Sequence, residues 1–512
     1  MVSAVLSRAW RAVARDRETT WWFTGVVAAL YLAFLIFMHQ HHEVWRDEAH
    51  AFSLARIAQS FGELVTGDRR YEGHPPLWFW YLRVWSFVIP SVLGLHVATI
   101  VAAVGAAVVL LRFAPFPRFL KVMLLLTYDF GYELTVMCRN YVLGWLLLCA
   151  FLALYHPLRP RPMAMAIVLS LLSLTSVYGL VLAVALVIFL VAENVRLRRE
   201  APRLLVVGML PRQLIALVIV FAALAFCAWS VEPMDPNPFS PGWNWPALTA
   251  PSAITESLKR FLDGMAPLRP DRLDFWFRWN EIGQNVPGAL PWGASALLAA
   301  SIAVLYRSWR VMLFYVAAVT MMTVIQQARL YGSARHWAHY FLALLAACWL
   351  LRRVQPQRRH LPSLILLVVL CGLQIQGFLV ATKVDTREAF SGGKETAEFI
   401  RHAGMQDLPL VAGPGMALTV AVYLRRPFYN METEEVEETV SFNTRRRDFS
   451  LNQFLDKAIT VSRERHSPVT VVLCLYPQLP PVPAGVEAKL LFTSRTPIVG
   501  DERFVVYRLE AH

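Results

Sequence analysis

Residues His39–Pro76 read HQHHEVWRDEAHAFSLARIAQSFGELVTGDRRYEGHPP, a polar insert between an apolar run that ends at Met38 and an aromatic-rich segment that begins at Leu77. An Arg46-Asp47-Glu48 triplet opens its charged part, and Tyr71-Glu72-Gly73-His74-Pro75-Pro76 closes it. What surrounds the insert decides which fold carries it.

Working outward, the chain has 512 residues, 56% of them hydrophobic and only 17% charged, with a mean hydropathy of +0.45. A soluble protein carries about a quarter charged residues. Apolar runs of roughly 15 to 22 residues recur instead, near the length that crosses a hydrocarbon core. Such spans must satisfy their own backbone polar groups, so the expected fold class is a polytopic α-helical membrane protein. The net charge of +13 does not point to nucleic acid, because the basic residues cluster where the apolar runs end. None of the six cysteines has CxxC spacing, so neither a disulfide framework nor a zinc site is signalled. Arg8, Arg11, Arg15 and Arg17 precede the first apolar run without a small-residue cleavage site, which reads as an uncleaved first helix.

Cytoplasmic loops carry an excess of Lys and Arg. That rule puts the N-terminus in the cytoplasm and the His39–Pro76 insert outside. Each later inner turn is then basic: Arg112 to Lys121, Arg159 and Arg161, Arg196 to Arg199, Arg307 and Arg310, and Arg352 to Arg359. About eleven transmembrane helices result, in a membrane domain over 1–380 with outer loops at 39–92 and 232–286. Leu77–Ile89 is too short for an ordinary span and contains Arg83 and a cluster of aromatics, so an interfacial helix is expected there. From 381 to 512 the composition is mixed. LPLVAG, PVTVVLCLY and RFVVYRLE read as strands, and Lys394–His402 and Asp456–Arg465 as helices, giving a small extracytoplasmic α/β domain. Ser391-Gly-Gly-Lys394 lacks a full phosphate-loop pattern and reads as a helix N-terminus.

On this topology four polar clusters meet on the outer face: Arg46-Asp47-Glu48; Glu72 and His74 before the two prolines; Asp129, Glu133, Arg139 and Asn140; and Arg329, Arg335, His336 and His339. Each has a plain structural reading. Asp47 suits the N-cap of an amphipathic helix lying on the membrane, with Ala51, Leu54, Ala55 and Ala58 on one face. Tyr71–Pro76 suits a turn, Glu133 and Arg139 a simple pair, and Arg335 a snorkelling helix end. The histidines of the insert show no HExxH or comparable spacing, so no metal or other cofactor is signalled. Taken together, an outer-facing carboxylate beside Arg and His suits transfer from a lipid-linked phosphate. The carboxylate takes a proton from an acceptor hydroxyl, and the cations stabilise the departing phosphate.

Trp45-Arg-Asp-Glu-Ala49, Tyr71-Glu-Gly-His-Pro-Pro-Leu77, Arg139-Asn-Tyr141 and Arg335-His336 together resemble the polyprenyl-phosphate-sugar-dependent GT-C glycosyltransferases. The nearest groups are the dolichyl-phosphate-mannose protein mannosyltransferases and the bacterial aminoarabinose transferases. The resemblance covers the chain to about Leu350 and is strongest over the first 145 residues. It implies a plasma (inner) membrane enzyme with its active site outside, moving a sugar from a polyprenyl-phosphate donor to a lipid, protein or polysaccharide hydroxyl with inversion. It implies Asp47 as the base, assisted by an acidic residue of the second outer loop, Glu133 or Asp129, with Glu48 beside Asp47 in the catalytic group and Arg46, Glu72, His74, Asp129, Arg139, Tyr141, Arg335 and His336 binding the donor phosphate or substrate. Glu-Gly-His before the prolines departs from the Lys-Pro form of the aminoarabinose enzymes. Two other classes compete. A transporter or lipid flippase needs ionisable residues near the bilayer midplane and paired broken helices. An assembly subunit would need far fewer spans.

Overall fold

The computed structural model describes residues 19–157, 159–200, 210–234, 242–268, 288–358, 360–413, 417–440, 442–443, 445–474 and 478–512. The basic N-terminal run, Arg359, the Arg198 and Arg199 side chains and much of the 232–286 loop lie outside them. Helices occupy all eleven places where a span is expected: α1 (Trp21–His41), α4 (Val92–Phe113), α5 (Arg118–Leu125), α6 (Tyr141–Leu154), α7 (Pro162–Ser173), α8 (Val177–Glu200), α9 (Leu210–Val231), α11 (Leu290–Ala303), α12 (Trp309–Ala328), α13 (Ala334–Val354) and α14 (Leu361–Asp385). The numbers α2, α3 and α10 belong to the outer-loop helices described below. Six of the eleven, α1, α4, α8, α9, α12 and α14, are long and apolar enough by length and composition to cross a membrane. The third expected span, α5, has only eight residues and passes into a π-helical turn, Asp129–Glu133.

Small residues let these helices approach closely. Ala98, Ala102, Ala103, Ala106 and Ala107 of α4 are buried, and α4 packs on α1 and α6. Every residue of α13 from Arg335 to Arg352 is buried, which makes it the central helix of the bundle. The helix α10 (Ala253–Met265) lies against α13. At Gly264 a Cβ would stand 2.0 Å from the Trp337 carbonyl oxygen, so only glycine permits that approach.

The polar insert contributes α2 (Arg46–Ile57) and leads into α3 (Leu77–Val88), which starts directly after Pro75-Pro76. The expected interfacial segment is thus a helix, but Arg83 is buried rather than snorkelling: its Nη1 donates to the Ala55 carbonyl at 3.1 Å, closing the end of α2. Two expectations for α2 change. Its N-cap is Trp45, not Asp47, and Glu48 rather than Asp47 accepts from the Trp45 amide, at 3.2 Å. Nor does α2 lie on a lipid surface: Glu48 to Ala55 are all buried, because the helix is packed between α3 and the C-terminal domain.

That domain holds a six-stranded sheet in the order β3-β2-β1-β4-β6-β5. The strands are β1 (Leu410–Gly413), β2 (Phe428–Asn430), β3 (Glu435–Glu437), β4 (Val469–Cys474), β5 (Val486–Thr493) and β6 (Phe504–Ala511). β1 runs parallel to β2 and β4, and β3, β6 and β5 are antiparallel to their neighbours. The central strands β1 and β4 are wholly buried, as their unbroken apolar sequences require. Helices α15 (Gly393–His402), α16 (Leu418–Leu424) and α17 (Leu451–Arg465) flank the sheet. The Ser391 hydroxyl accepts from the Gly393 amide at 3.1 Å, so the Ser-Gly-Gly-Lys run is a helix start. The domain sits on the insert through α16 against α2, Tyr423 Oη accepting from the Val44 amide at 2.9 Å, and Arg56 paired with Glu438 at 2.9 Å.

Candidate active site between the first loop and the C-terminal domain

A cavity of about 730 Å³ opens where the insert, the ends of α6, α8, α9, α12 and α13, and the C-terminal domain converge. Its polar end is lined by Arg46, Asp47, Glu72, His74, Arg139, Tyr141, Arg335 and His336, and an apolar wall by Val177, Tyr178, Leu180, Ala228, Val231 and Ile325. Residues as far apart in sequence as Arg46 and Arg446 therefore share one space.

Asp47 occupies the first turn of α2 and keeps 30% of its side chain exposed, whereas Arg335 keeps 6%. Arg335 Nη2 donates to Asp47 Oδ2 at 3.2 Å, and its guanidinium also lies over the Trp45 ring, 5.2 Å from the centroid. Arg139 Nη1 donates to the Asp47 carbonyl at 2.5 Å, and Arg46 Nε stands 3.9 Å from Asp47 Oδ1. One accessible carboxylate thus pairs with Arg335, with Arg139 on its own backbone carbonyl and Arg46, which binds Asp501 at 2.7 Å, close by. Such a cluster favours anions and sharpens with exclusion of water.

Two histidines are set as neutral hydrogen-bonding groups. Arg139 Nη2, always a donor, points at His74 Nε2 from 3.0 Å. His74 Nε2 is then the acceptor of that bond, while Asn140 Nδ2 stands 3.4 Å from Nδ1 on the other side of the ring. Burial, followed by the charges of Arg139, Arg335 and Arg69, holds His74 well below the usual histidine range. His336 Nδ1 accepts from the Ser333 amide at 2.8 Å at the start of α13, which leaves Nε2–H to donate to Tyr141 Oη at 2.8 Å. Tyr141 therefore presents its own hydroxyl proton to the cavity. Gly73, at φ +64°, supplies the left-handed bend between Glu72 and His74. Arg69 ties the turn down by donating to the carbonyls of His74, Leu64 and Val65.

Eight of the eleven residues expected at the site are brought together here. Glu48, Asp129 and Glu133 are not among the cavity's lining residues. Glu48 is fully buried behind Asp47: its carboxylate accepts from the Cys138 amide at 2.5 Å and lies 3.4 Å from His42 Nε2. His42 also meets Asp385 at 2.9 Å, and Tyr132 Oη donates to the same Asp385 oxygen at 3.0 Å. Burial opposes the charge on His42, but Asp385 and Glu48 outweigh it and push the group up to about 10. Glu48 is thus part of a buried charge cluster that braces the insert against the end of α14. Glu133 accepts from Tyr128 Oη at 2.6 Å inside the π-helical turn, and Asp129 is buried with its amide 3.4 Å from Gln374 Oε1. Both point into the bundle, and the simple Glu133–Arg139 pair does not form; Arg139 turns to Asp47 and His74 instead.

The C-terminal domain contributes residues that no sequence motif singles out. Leu418, Val440, Phe442 and Arg446 close the cavity from the sheet domain. His50 Nδ1 is 2.8 Å from Glu72 Oε1, its Nε2 is 2.5 Å from the Val440 carbonyl, and its ring meets Phe442 edge-on with centroids 5.0 Å apart. Burial disfavours a charged His50, and Glu72 more than offsets that, so its pKa is raised. No local motif marks these residues, because only docking of the domain makes them neighbours. The buried Glu193–Arg310 pair lies near the opposite ends of α8 and α12 rather than midway along them.

No protein-family model matches the chain, and no curated protein sequence matches it. Among solved structures, ArnT from Cupriavidus metallidurans in the apo state superposes with a TM-score of 0.52 at 14% identity, covering 94% of this chain and 97% of that one. ArnT from the same organism bound to undecaprenyl phosphate gives a TM-score of 0.48 at 14% identity over the same shares. The superposition extends through the membrane helices into the C-terminal sheet domain, beyond the region that carries the sequence motifs, and the chain has the ArnT-like fold of a multi-pass membrane protein.

Proposed function

We propose that this protein is an integral-membrane glycosyltransferase that moves one sugar from a polyprenyl-phosphate donor to a hydroxyl acceptor. The reaction takes place on the extracytoplasmic side of a plasma (inner) membrane. The observation that carries the reading is the pairing of one exposed carboxylate, Asp47, with the buried guanidinium of Arg335 at the polar end of a cavity whose other wall is apolar. An amphiphilic ligand suits that division: its chain lies along α8, α9 and α12, and its phosphate meets Arg335 and Arg139.

In the proposed step the acceptor oxygen attacks the anomeric carbon from the face opposite the phosphate. The bond between that carbon and the phosphate oxygen breaks, and the acceptor proton passes to an Asp47 carboxylate oxygen. The configuration inverts, and polyprenyl phosphate leaves with one more negative charge than it had as a diester. Arg335 therefore holds the leaving group more tightly in the transition state than in the ground state, which is what accelerates a reaction. Tyr141, with its proton directed to the cavity, donates to the phosphate or the sugar. Neutral His74 adds no charge of its own and positions Arg139. A phosphate leaving group asks for no further acid.

The test uses the full-length protein in detergent with undecaprenyl-phosphate-linked sugars and envelope glycolipids, following release of undecaprenyl phosphate. Wild type releases it and Asp47→Asn does not. Turnover by Asp47→Asn near the wild-type rate would remove Asp47 from the base role. Accumulation of intact donor on the opposite leaflet of vesicles, with no release, would make the protein a flippase.

A further inference from the structure

Behind the cavity wall three donor atoms meet from three distant parts of the chain: His39 near the end of α1, His96 in the first turns of α4, and Cys138 just ahead of α6. All three side chains are buried. His39 Nδ1 and His96 Nδ1 stand 2.8 Å apart, and Cys138 Sγ lies 3.9 Å from the first and 3.7 Å from the second. His39 Nε2 is 3.0 Å from the Thr135 carbonyl, which can only accept, so that nitrogen carries the ring proton. Nδ1 of His39 is thereby a lone pair aimed into the cluster. The Cys138 backbone is held in turn by the hydrogen bond its amide donates to Glu48 Oε1 at 2.5 Å.

A tetrahedral zinc ion with bonds of about 2.05 Å to nitrogen and about 2.3 Å to sulfur sets its ligand atoms about 3.3 Å (N to N) and about 3.6 Å (N to S) apart. The two nitrogen–sulfur edges are already close to that spacing, and the imidazoles need to part by only about half an ångström. We propose that His39 Nδ1, His96 Nδ1 and Cys138 Sγ form a three-donor site for a borderline-soft divalent cation of the zinc class. Two imidazoles and a thiolate select such an ion over magnesium or calcium, which prefer oxygen. The Thr135 carbonyl on His39 is the outer partner that fixes the ring and its tautomer, as metal-bound histidines usually require. Cys138 is followed directly by Arg139, whose guanidinium holds Asp47 and His74. The ion would pin that backbone between α1 and α4 without touching substrate. The competing description is a plain hydrogen bond from His96 Nδ1–H to His39 Nδ1, with a thiol nearby.

Elemental analysis of the full-length protein, purified in detergent without chelator and dialysed against trace Zn²⁺, separates the two. One zinc per chain is expected for wild type and for Cys371→Ser, a buried cysteine elsewhere in the bundle. Cys138→Ser and His96→Gln lose it. Co²⁺ added to the zinc-free wild type gives a near-ultraviolet thiolate-to-cobalt charge-transfer band, which provides a reading even if a variant aggregates. No retained zinc in wild type, zinc retained equally by both variants, or a Co²⁺ spectrum without the thiolate band would each overturn the site.

Discussion

Replacing Asp47 by Asn separates the two roles that meet at its carboxylate. Asn keeps the shape but neither accepts a proton at neutral pH nor holds Arg335 by charge. Loss of a general base costs about 100- to 10,000-fold in turnover. The effect on donor binding runs the other way. At 3.2 Å the Asp47–Arg335 attraction is about 5 kcal/mol at an effective dielectric near 20 and about 1.3 kcal/mol in bulk water. Because the Asp47 side chain is 30% exposed, screening and desolvation bring the net value to about 1 kcal/mol. An incoming phosphate must displace this pairing, so removing it should tighten donor binding by about fivefold, the equivalent of that energy. Isothermal titration with undecaprenyl phosphate, beside single-turnover kinetics, measures both quantities on one sample. Arg335→Gln supplies the contrast, weakening donor binding at least tenfold because the clamp itself is gone. If Asp47→Asn weakened phosphate binding as much as Arg335→Gln, the carboxylate and the guanidinium would not compete, and the proposed exchange of partners would be wrong.

Other perturbations test the surrounding structure. Glu502 is buried, which raises its carboxyl from 4.5 to about 8, although the Ser391 hydroxyl and the Arg46 amide act in the opposite direction. The folded state keeps this proton while the unfolded chain releases it, so stability present below about pH 4.5 is lost as the pH rises to about 8. Glu502→Gln should therefore match wild type in a melting curve at pH 4 and exceed it at pH 8, by an amount on the order of a few kcal/mol. Gly264→Ala drives a methyl group into the Trp337 carbonyl, so α10 must move away from α13, at a cost of about 1–3 kcal/mol. A melting temperature unchanged by that substitution would show that the two helices separate freely. Phe442→Ala removes part of the roof the C-terminal domain places over the cavity, and should raise the acceptor KM several-fold while leaving undecaprenyl phosphate affinity unchanged. Equal losses for donor and acceptor would place Phe442 on the wrong side of the site.

How much of this was legible in advance differs from residue to residue. Asp47, His74 and Arg335 were identifiable because each breaks an otherwise apolar or structural pattern: a carboxylate after a span, a histidine before paired prolines, an arginine at a span's first turn. Glu48 and Glu133 carry the same local signals and yet do not line the cavity. Local spacing says which groups are near a boundary but not which way a side chain turns. For Glu48 the turn is decided by the Trp45 amide and His42 from its own loop and by the Cys138 amide from a distant stretch of chain. In the C-terminal domain the apolar cores of β1, β4 and β6 were visible as strands, whereas β2 and β3, only three residues each, and the edge strand β5, which buries no residue fully, were not.

Composition and the spacing of apolar runs by themselves determine that this chain forms a bundle of membrane helices with a C-terminal α/β domain. Burying apolar surface is a local property that each segment carries with it. The convergence of the insert, α13 and the C-terminal domain belongs to the tertiary structure alone. Asp47 and Arg335 are 3.2 Å apart across nearly the whole membrane domain, as His39, His96 and Cys138 are gathered from three elements. Short-range polar contacts of this kind depend on how whole helices pack, and side-chain packing has no repeat for a linear sequence to display.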